Sequence, residues 1–196
     1  MILGSHNTMT YLKPKNWFMK AFNFIAKCQS KDYKSQYKCG ARYFDLRFKP
    51  SKNINDEPTI AHGLMDYKTQ KGFIDEFLKF LNSKKNQKIY VRLMYELQKK
   101  DKSSDSLQKE HNFIELCKQY QKKYPNIHFI GGRRKYDWKT LVQLEEEPCK
   151  KDLYASMDGS KYDDLYPASY AKKYNKQNWA KYKNVQPDCY MLIDFI

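Results

Sequence analysis

Phe73, Ile74, Phe77, Leu78 and Leu81 recur at the spacing of one helical face, which predicts a helix over residues 70–83. Leu107 to Lys123 repeats that period and is stopped by Pro125. Ala168 to Tyr182 reads as a third helix, and Phe18, Ala21, Phe22 and Ile25 give Trp17 to Lys27 a helix-like pattern. Asp32 to Cys39 suggests a shorter helical piece. Between these lie short apolar runs closed by turn residues, the signature of buried strands. They are Ile2-Leu3-Gly4, Gly40 to Phe48, Thr59 to Gly63, Ile89 to Leu93, Ile127 to Gly131, Thr140 to Leu144, Leu153 to Ala155 and Tyr190 to Phe195. Residues 50–58 and 99–106 are polar and read as loops.

Strands alternating with helices predict an α/β fold with a parallel sheet. Eight strands predict a compact, irregular TIM (β/α)8-type barrel. Its helices are reduced around the fifth to seventh strands, and no helix follows the eighth. The 196 residues form one domain on this reading, although such barrels run from about 200 residues upward. An open doubly wound sheet is the rival. No repeat of 20 to 50 residues is visible.

Polar residues favour the barrel because they gather where strands end. His6 follows the first strand, Asp45 and Arg47 close the second, and His62 closes the third. Arg92 and Glu96 belong to the fourth, Arg133 and Arg134 to the fifth, and Asp194 to the eighth. The C-terminal ends of barrel strands are where such folds keep their chemistry.

Charge narrows the partner. Lys and Arg number 37 against 22 Asp and Glu, a net charge of +15. An anionic partner follows: a phosphorylated substrate, an anionic membrane surface or nucleic acid. Five cysteines without a C-x-x-C pair argue against a zinc site or a disulfide framework. Reduced thiols point to a cytoplasmic setting or a peripheral place at a membrane. No signal peptide and no membrane-spanning apolar run is visible. Trp17, Phe18 and nearby lysines suit either an interfacial patch or a helix packed on the barrel, and the packed helix is the expectation.

Two histidines that titrate near neutrality can serve as general base and general acid. Arg47 always carries its charge and can stabilise a phosphoryl group in transit. A carboxylate such as Asp194 can fix the tautomer of one histidine. His6, His62, Arg47, Asp45 and Asp194 together suit cleavage of a phosphodiester by a neighbouring hydroxyl, with no metal required. The other two histidines have weaker claims: His111 reads as solvated surface and His128 as a packed or surface residue. Gly131-Gly132-Arg133-Arg134 can cradle phosphate, and is equally a Gly-Gly turn with surface arginines. Glu145-Glu146-Glu147 reads as a solvated charge run.

Gly4-Ser5-His6-Asn7-Thr8, Gly40-Ala41-Arg42-Tyr43-Phe44-Asp45-Leu46-Arg47 and Ala61-His62-Gly63 resemble, in order and spacing, the X-domain of phosphatidylinositol-specific phospholipase C. Tyr166 to Tyr170 and Met191 to Ile196 look like the end of the bacterial enzymes' barrel. The resemblance is strong over residues 1–96, thin over 97–150, and returns over 153–196. It implies an irregular TIM barrel. His6 becomes the general base on the inositol 2-hydroxyl and His62 the acid toward the diacylglycerol oxygen. Asp45 supports His62, and Asp194 orients His6. Arg47 stands where the calcium-dependent branch has an acidic ligand, so the resemblance implies the metal-free mode and no cofactor. Calcium is the alternative, because Asn7 is that branch's residue where the bacterial enzymes carry Asp. Substrate binding falls to Asn7, Arg92, Glu96 and Arg133, with Arg133 on the inositol ring. Met94 stands where the bacterial enzymes have a substrate-binding lysine, and the family's ring-binding Asp and Tyr are replaced within Leu144 to Glu146. The implied partner is a phosphodiester lipid. Two readings compete with a phosphatidylinositol phosphodiesterase: metal-free cleavage of RNA, and a non-catalytic barrel that binds anionic lipid or nucleic acid.

Overall fold

The structure, a computed structural model, describes residues 1–96, 104–134, 141–142, 144–145, 153–154, 166–183 and 190–196, and only the backbone of 153–154 and 182–183. In chain order its elements are β1 (Ile2–Ser5), α1 (Asn23–Ala26), α2 (Tyr33–Lys38), β2 (Tyr43–Lys49), β3 (Thr59–His62), β4 (Met65–Asp66), α3 (Phe73–Asn82), β5 (Ile89–Tyr95), α4 (Ser104–Lys123), β6 (Ile127–Arg134), β7 (Leu153–Tyr154), α5 (Pro167–Lys183) and β8 (Tyr190–Ile193). They fall into two units: residues 1–45 with 147–196, and residues 46–146.

In the first unit β1 pairs in parallel with β2 and with β8, and β8 pairs in parallel with β7. Tyr43 stacks on Tyr190 at 4.0 Å between ring centroids, where both are fully buried. A Cβ at Gly4 would stand 2.6 Å from Leu192 Cδ2 and 3.2 Å from the Met191 carbonyl oxygen, so a larger residue there requires the Leu192 side chain to shift. Asp32 caps α2 by accepting the Ser35 N–H at 2.7 Å, satisfying a donor that the first helical turn leaves unpaired. The helix expected over 17–27 is instead a 3₁₀ turn at Phe18–Lys20 followed by the four-residue α1. Its apolar side faces solvent: Trp17 is 78% exposed, and Phe18, Phe22 and Phe24 are also exposed. The packed-helix expectation is corrected: Phe24 stacks on Tyr166 at 6.0 Å between ring centroids, while Trp17, Phe18 and Phe22 face solvent among the described residues.

In the second unit β5 pairs with β2 and β6, and the β5–β6 pair is parallel. α3 buries Ile74, Phe77, Leu78 and Leu81, each worth about 1.5–3 kcal/mol against exposure. Phe48 and Tyr95 both pack on Phe113 of α4. The wholly parallel sheet is corrected here, since β3 runs antiparallel to both β2 and β4. Residues 50–58 are the cause: a parallel crossover needs about a dozen residues or more, and a shorter link turns the strand back.

The register between β5 and β6 shifts after Leu93, which pairs with Gly131, while Met94 pairs with Arg133. Gly132 is the extra residue of a bulge. Gly131 has φ +97°, and a Cβ there would lie 2.7 Å from the Leu93 carbonyl oxygen. The glycine pair thus has a backbone reason to exist. The strand expected over 140–144 does not form at its described residues. Leu141 and Val142 instead donate their N–H groups to the Gly132 carbonyl at 2.6 and 3.4 Å. Residues 99–103, 140, 143 and 155 lie outside the described residues. No helix among the described residues is long and apolar enough to cross a membrane.

Candidate active site

The parallel register of β1 and β8 runs from Ile2 opposite Tyr190 to Ser5 opposite Ile193. The next residue on each strand is His6 and Asp194. Two side chains 188 positions apart therefore leave the same sheet edge together, and His6 Nδ1 lies 2.7 Å from Asp194 Oδ1. Asp194 is buried and the His6 side chain is 12% exposed. An ionised carboxylate only accepts, so Nδ1 carries the hydrogen. Nε2 then keeps its lone pair and accepts from Asn7 Nδ2 at 3.1 Å. The result is an imidazole with a fixed tautomer and one basic nitrogen.

Asn7 sits at φ +45°, in the left-handed region that Asn tolerates better than most residues. Its N–H donates to Asp45 Oδ2 at 3.2 Å, and the Thr8 N–H donates to the Asp45 carbonyl at 3.0 Å. Asp45 thus holds the turn that follows His6. Two buried glutamines clamp the strand ends around it. Gln29 Nε2 donates to the carbonyls of His6 and Ile193 at 3.0 and 2.8 Å, and Gln29 Oε1 accepts the Ile196 N–H at 3.2 Å. Gln36 Oε1 accepts from Ser5 Oγ at 2.5 Å, and its Nε2 donates to the Thr8 carbonyl at 2.9 Å.

The second unit carries Arg47, His62, Glu96, Arg92 and Arg133. β2 and β3 meet with Phe48 opposite Ile60, so Arg47 and His62 lie on neighbouring strands just beyond that pair. Glu96 follows β5 and is almost wholly buried. Its N–H donates to the Phe48 carbonyl at 3.0 Å. Its Oε1 accepts the Gly63 N–H at 2.7 Å, and Oε2 lies 3.9 Å from Arg47 Nη1. One carboxylate therefore faces the buried guanidinium and fixes the residue after His62. Arg92 has no exposed surface. Arg133 stands at the bulge of β6, and Arg134 pairs with Glu110.

Of the weaker candidates, His111 is exposed. His128 packs against Tyr90 and pairs through Nδ1 with Glu145 at 2.8 Å, while Glu146 and Glu147 lie outside the described residues. The motifs point to His6, His62, Arg47, Asp45 and Asp194. They do not point to Gln29 or Gln36, because a buried glutamine in a polar stretch has no periodicity to betray it.

No family model matches the chain. The 1-phosphatidylinositol phosphodiesterase of Staphylococcus aureus strain Newman is 31% identical over 147 residues, covering 73% of this chain and 43% of the relative. The same enzyme from a second strain of that species gives equal identity over 40% of its length. The chain thus spans less than half the length of these curated relatives. Among solved structures, the phosphatidylinositol-specific phospholipase C of Listeria monocytogenes aligns over 99% of this chain and 87% of its own, with a TM-score of 0.62 and 15% identity. A variant of the S. aureus phospholipase aligns over 99% and 84%, with a TM-score of 0.61 and 17% identity. At such identities the structures speak for the fold alone, which is α/β and of the irregular TIM-barrel type.

Proposed function

The chain belongs to the bacterial phosphatidylinositol-specific phospholipase C family, and from that premise we propose that it cleaves phosphatidylinositol or a close phosphodiester relative to a cyclic phosphate. His6 Nε2 takes the proton of the hydroxyl beside the phosphodiester. That oxygen attacks phosphorus and closes the ring, while the bond from phosphorus to the diacylglycerol oxygen breaks. His62 gives its proton to that leaving oxygen, so each histidine ends in the other's starting protonation state. Arg47 balances the charge gathering on the phosphoryl oxygens, with Asp45 supporting the leaving-group step. Arg47 supplies the cation, so turnover needs no metal and no cofactor. Asn7, Arg92, Glu96 and Arg133 are the residues assigned to binding the head group.

The observation that carries this reading is the 2.7 Å bond from His6 to Asp194, which leaves Nε2 basic beside the turn held by Asp45. Removing an essential acid or base costs about 10²–10⁴-fold in rate. The substrate is a lipid, and the exposed stretch with Trp17, Phe18, Phe22, Phe24 and lysines 13, 15, 20 and 27 suits peripheral contact with an anionic bilayer. Phosphatidylinositol micelles with and without a chelator test the reading, with single-stranded RNA in parallel. Chelator-resistant release of diacylglycerol is expected. Turnover of RNA alone, of neither substrate, or only with added calcium contradicts it.

A further inference from the structure

The strand ends opposite the catalytic residues carry a cavity that the proposed reaction does not use. β5 and β6 start side by side, with Ile89 opposite Ile127 and Tyr90 opposite His128. Lys85 to Lys88 lead into β5, and Pro125 and Asn126 lead toward β6. Together with His128 they line a cavity of about 390 Å³. Glu96 follows the far end of the seven-residue β5, roughly 20 Å away at about 3.3 Å per residue. Hydrogen bonds hold both walls. The Lys84 N–H donates to the Leu81 carbonyl and the Gln87 N–H to the Lys84 carbonyl, each at 3.0 Å. Asn126 is tied twice to the last residue of α3: its N–H donates to Asn82 Oδ1 and its Nδ2 to the Asn82 carbonyl, each at 3.0 Å. His128 is fixed by Glu145, 2.8 Å from Nδ1, and packs on the Tyr90 ring.

Two kinds of polar group meet in this cavity. Lys85 and Lys88 are exposed, and neither makes an ion pair among the described residues. No carboxylate among the described residues lines the cavity. Two ammonium groups without a counter-charge favour an anion such as phosphate. Acceptors are the second kind. An ionised Glu145 only accepts, so His128 donates from Nδ1 and Nε2 is left to accept. With its Nδ2 engaged, Asn126 offers Oδ1. Such acceptors repel a bare anion and suit hydroxyl groups. We propose that this cavity is a second ligand site, which binds a polyol monophosphate with its phosphate on Lys85 and Lys88 and its hydroxyls on His128 Nε2 and Asn126 Oδ1. The site does not rest on the chemistry at His6, and either stands if the other fails.

¹H–¹⁵N NMR of the whole chain, titrated with myo-inositol 1-phosphate and with glucose 6-phosphate, reads the site without turnover. Saturable shifts of the Asn86 and Asn126 side-chain amides are expected with at least one ester, and the tighter of the two identifies the preferred ring. Inorganic phosphate binds there at least about tenfold more weakly for want of hydroxyls, and free myo-inositol and glucose do not bind. Lys85→Gln/Lys88→Gln raises the Kd at least about tenfold and leaves phosphatidylinositol turnover unchanged. Lys38→Gln/Lys71→Gln, at exposed lysines outside the cavity, changes neither. The wild-type shifts decide the location even where the first double variant does not fold. No saturable shift, shifts confined to the surroundings of His6, or an unchanged Kd in folded Lys85→Gln/Lys88→Gln overturns the site. Inorganic phosphate binding as tightly as both esters overturns the polyol assignment.

Discussion

A histidine serves as a base when one nitrogen keeps its lone pair and the other is engaged as a donor, and Asp194 meets the second condition for His6 at 2.7 Å. Asp194→Asn offers an amide that can present its NH₂ to Nδ1 and so select the wrong tautomer. The expected result is a fall in kcat of roughly 10²–10⁴-fold with KM little changed. An Asp194→Asn enzyme with wild-type kcat contradicts the dyad. Gln29→Ala removes the group that satisfies two carbonyls and one N–H at the strand ends. Leaving buried polar groups unpaired is expected to cost about 2–4 kcal/mol in urea denaturation, and an unchanged midpoint contradicts the clamp. These two residues differ in how far sequence reveals them. His6 and Asp194 stand at the ends of apolar runs and belong to recognisable motifs, so their type and place were legible. Gln29 lies in a polar stretch with neither motif nor period, and its role follows only from the folded path of the chain.

At the scale of elements, strands and long helices were legible wherever burial imposed a period. α3 and α4 follow their apolar faces, and β5 follows its apolar run. The stretch over 17–27 misleads because the same aromatic pattern that packs a helix also makes an exposed patch, and sequence does not say what covers it. The antiparallel β3 was hidden because strand direction depends on the connection rather than on the strand. The Gly131-Gly132 bulge gives the glycines a structural purpose that the sequence alone does not show. Gly131→Ala places a Cβ against the Leu93 carbonyl at positive φ and is expected to destabilise by about 1–3 kcal/mol. A melting temperature equal to wild type contradicts that.

Asp75 on α3 ties that helix to the end of α4, with Lys123 and Tyr124 as partners and Lys79 at 2.7 Å. Burial raises its carboxyl, but hydrogen bonds from Lys123, Lys79 and Tyr124 outweigh that and hold it well below the usual carboxylate range. An unfolded Asp protonates near pH 3.9. The link therefore contributes fully above about pH 4 and is lost as pH falls toward the lower folded value. Between pH 5 and pH 3 the urea midpoint of the wild type is expected to fall more steeply than that of Asp75→Asn. Parallel curves contradict the link.

For the molecule as a whole, a net charge of +15 and an exposed aromatic stretch point the same way, toward an anionic surface. Trp17→Ala is expected to weaken partitioning onto anionic vesicles by roughly tenfold, from the loss of one large apolar group. Added salt weakens the wild type further as the lysines are screened. Partitioning that ignores both changes contradicts that surface. Everything proposed for the activity depends on two histidines serving one reaction, one as base and one as acid. The most direct measurement is ³¹P NMR of phosphatidylinositol incubated with the wild type, His6→Ala and His62→Ala in the presence of chelator. A cyclic phosphate resonance that forms with the wild type and is slowed at least about 10²-fold in each variant is the expected result. Wild-type rates in either variant, or a product that never passes through the cyclic phosphate, contradict it.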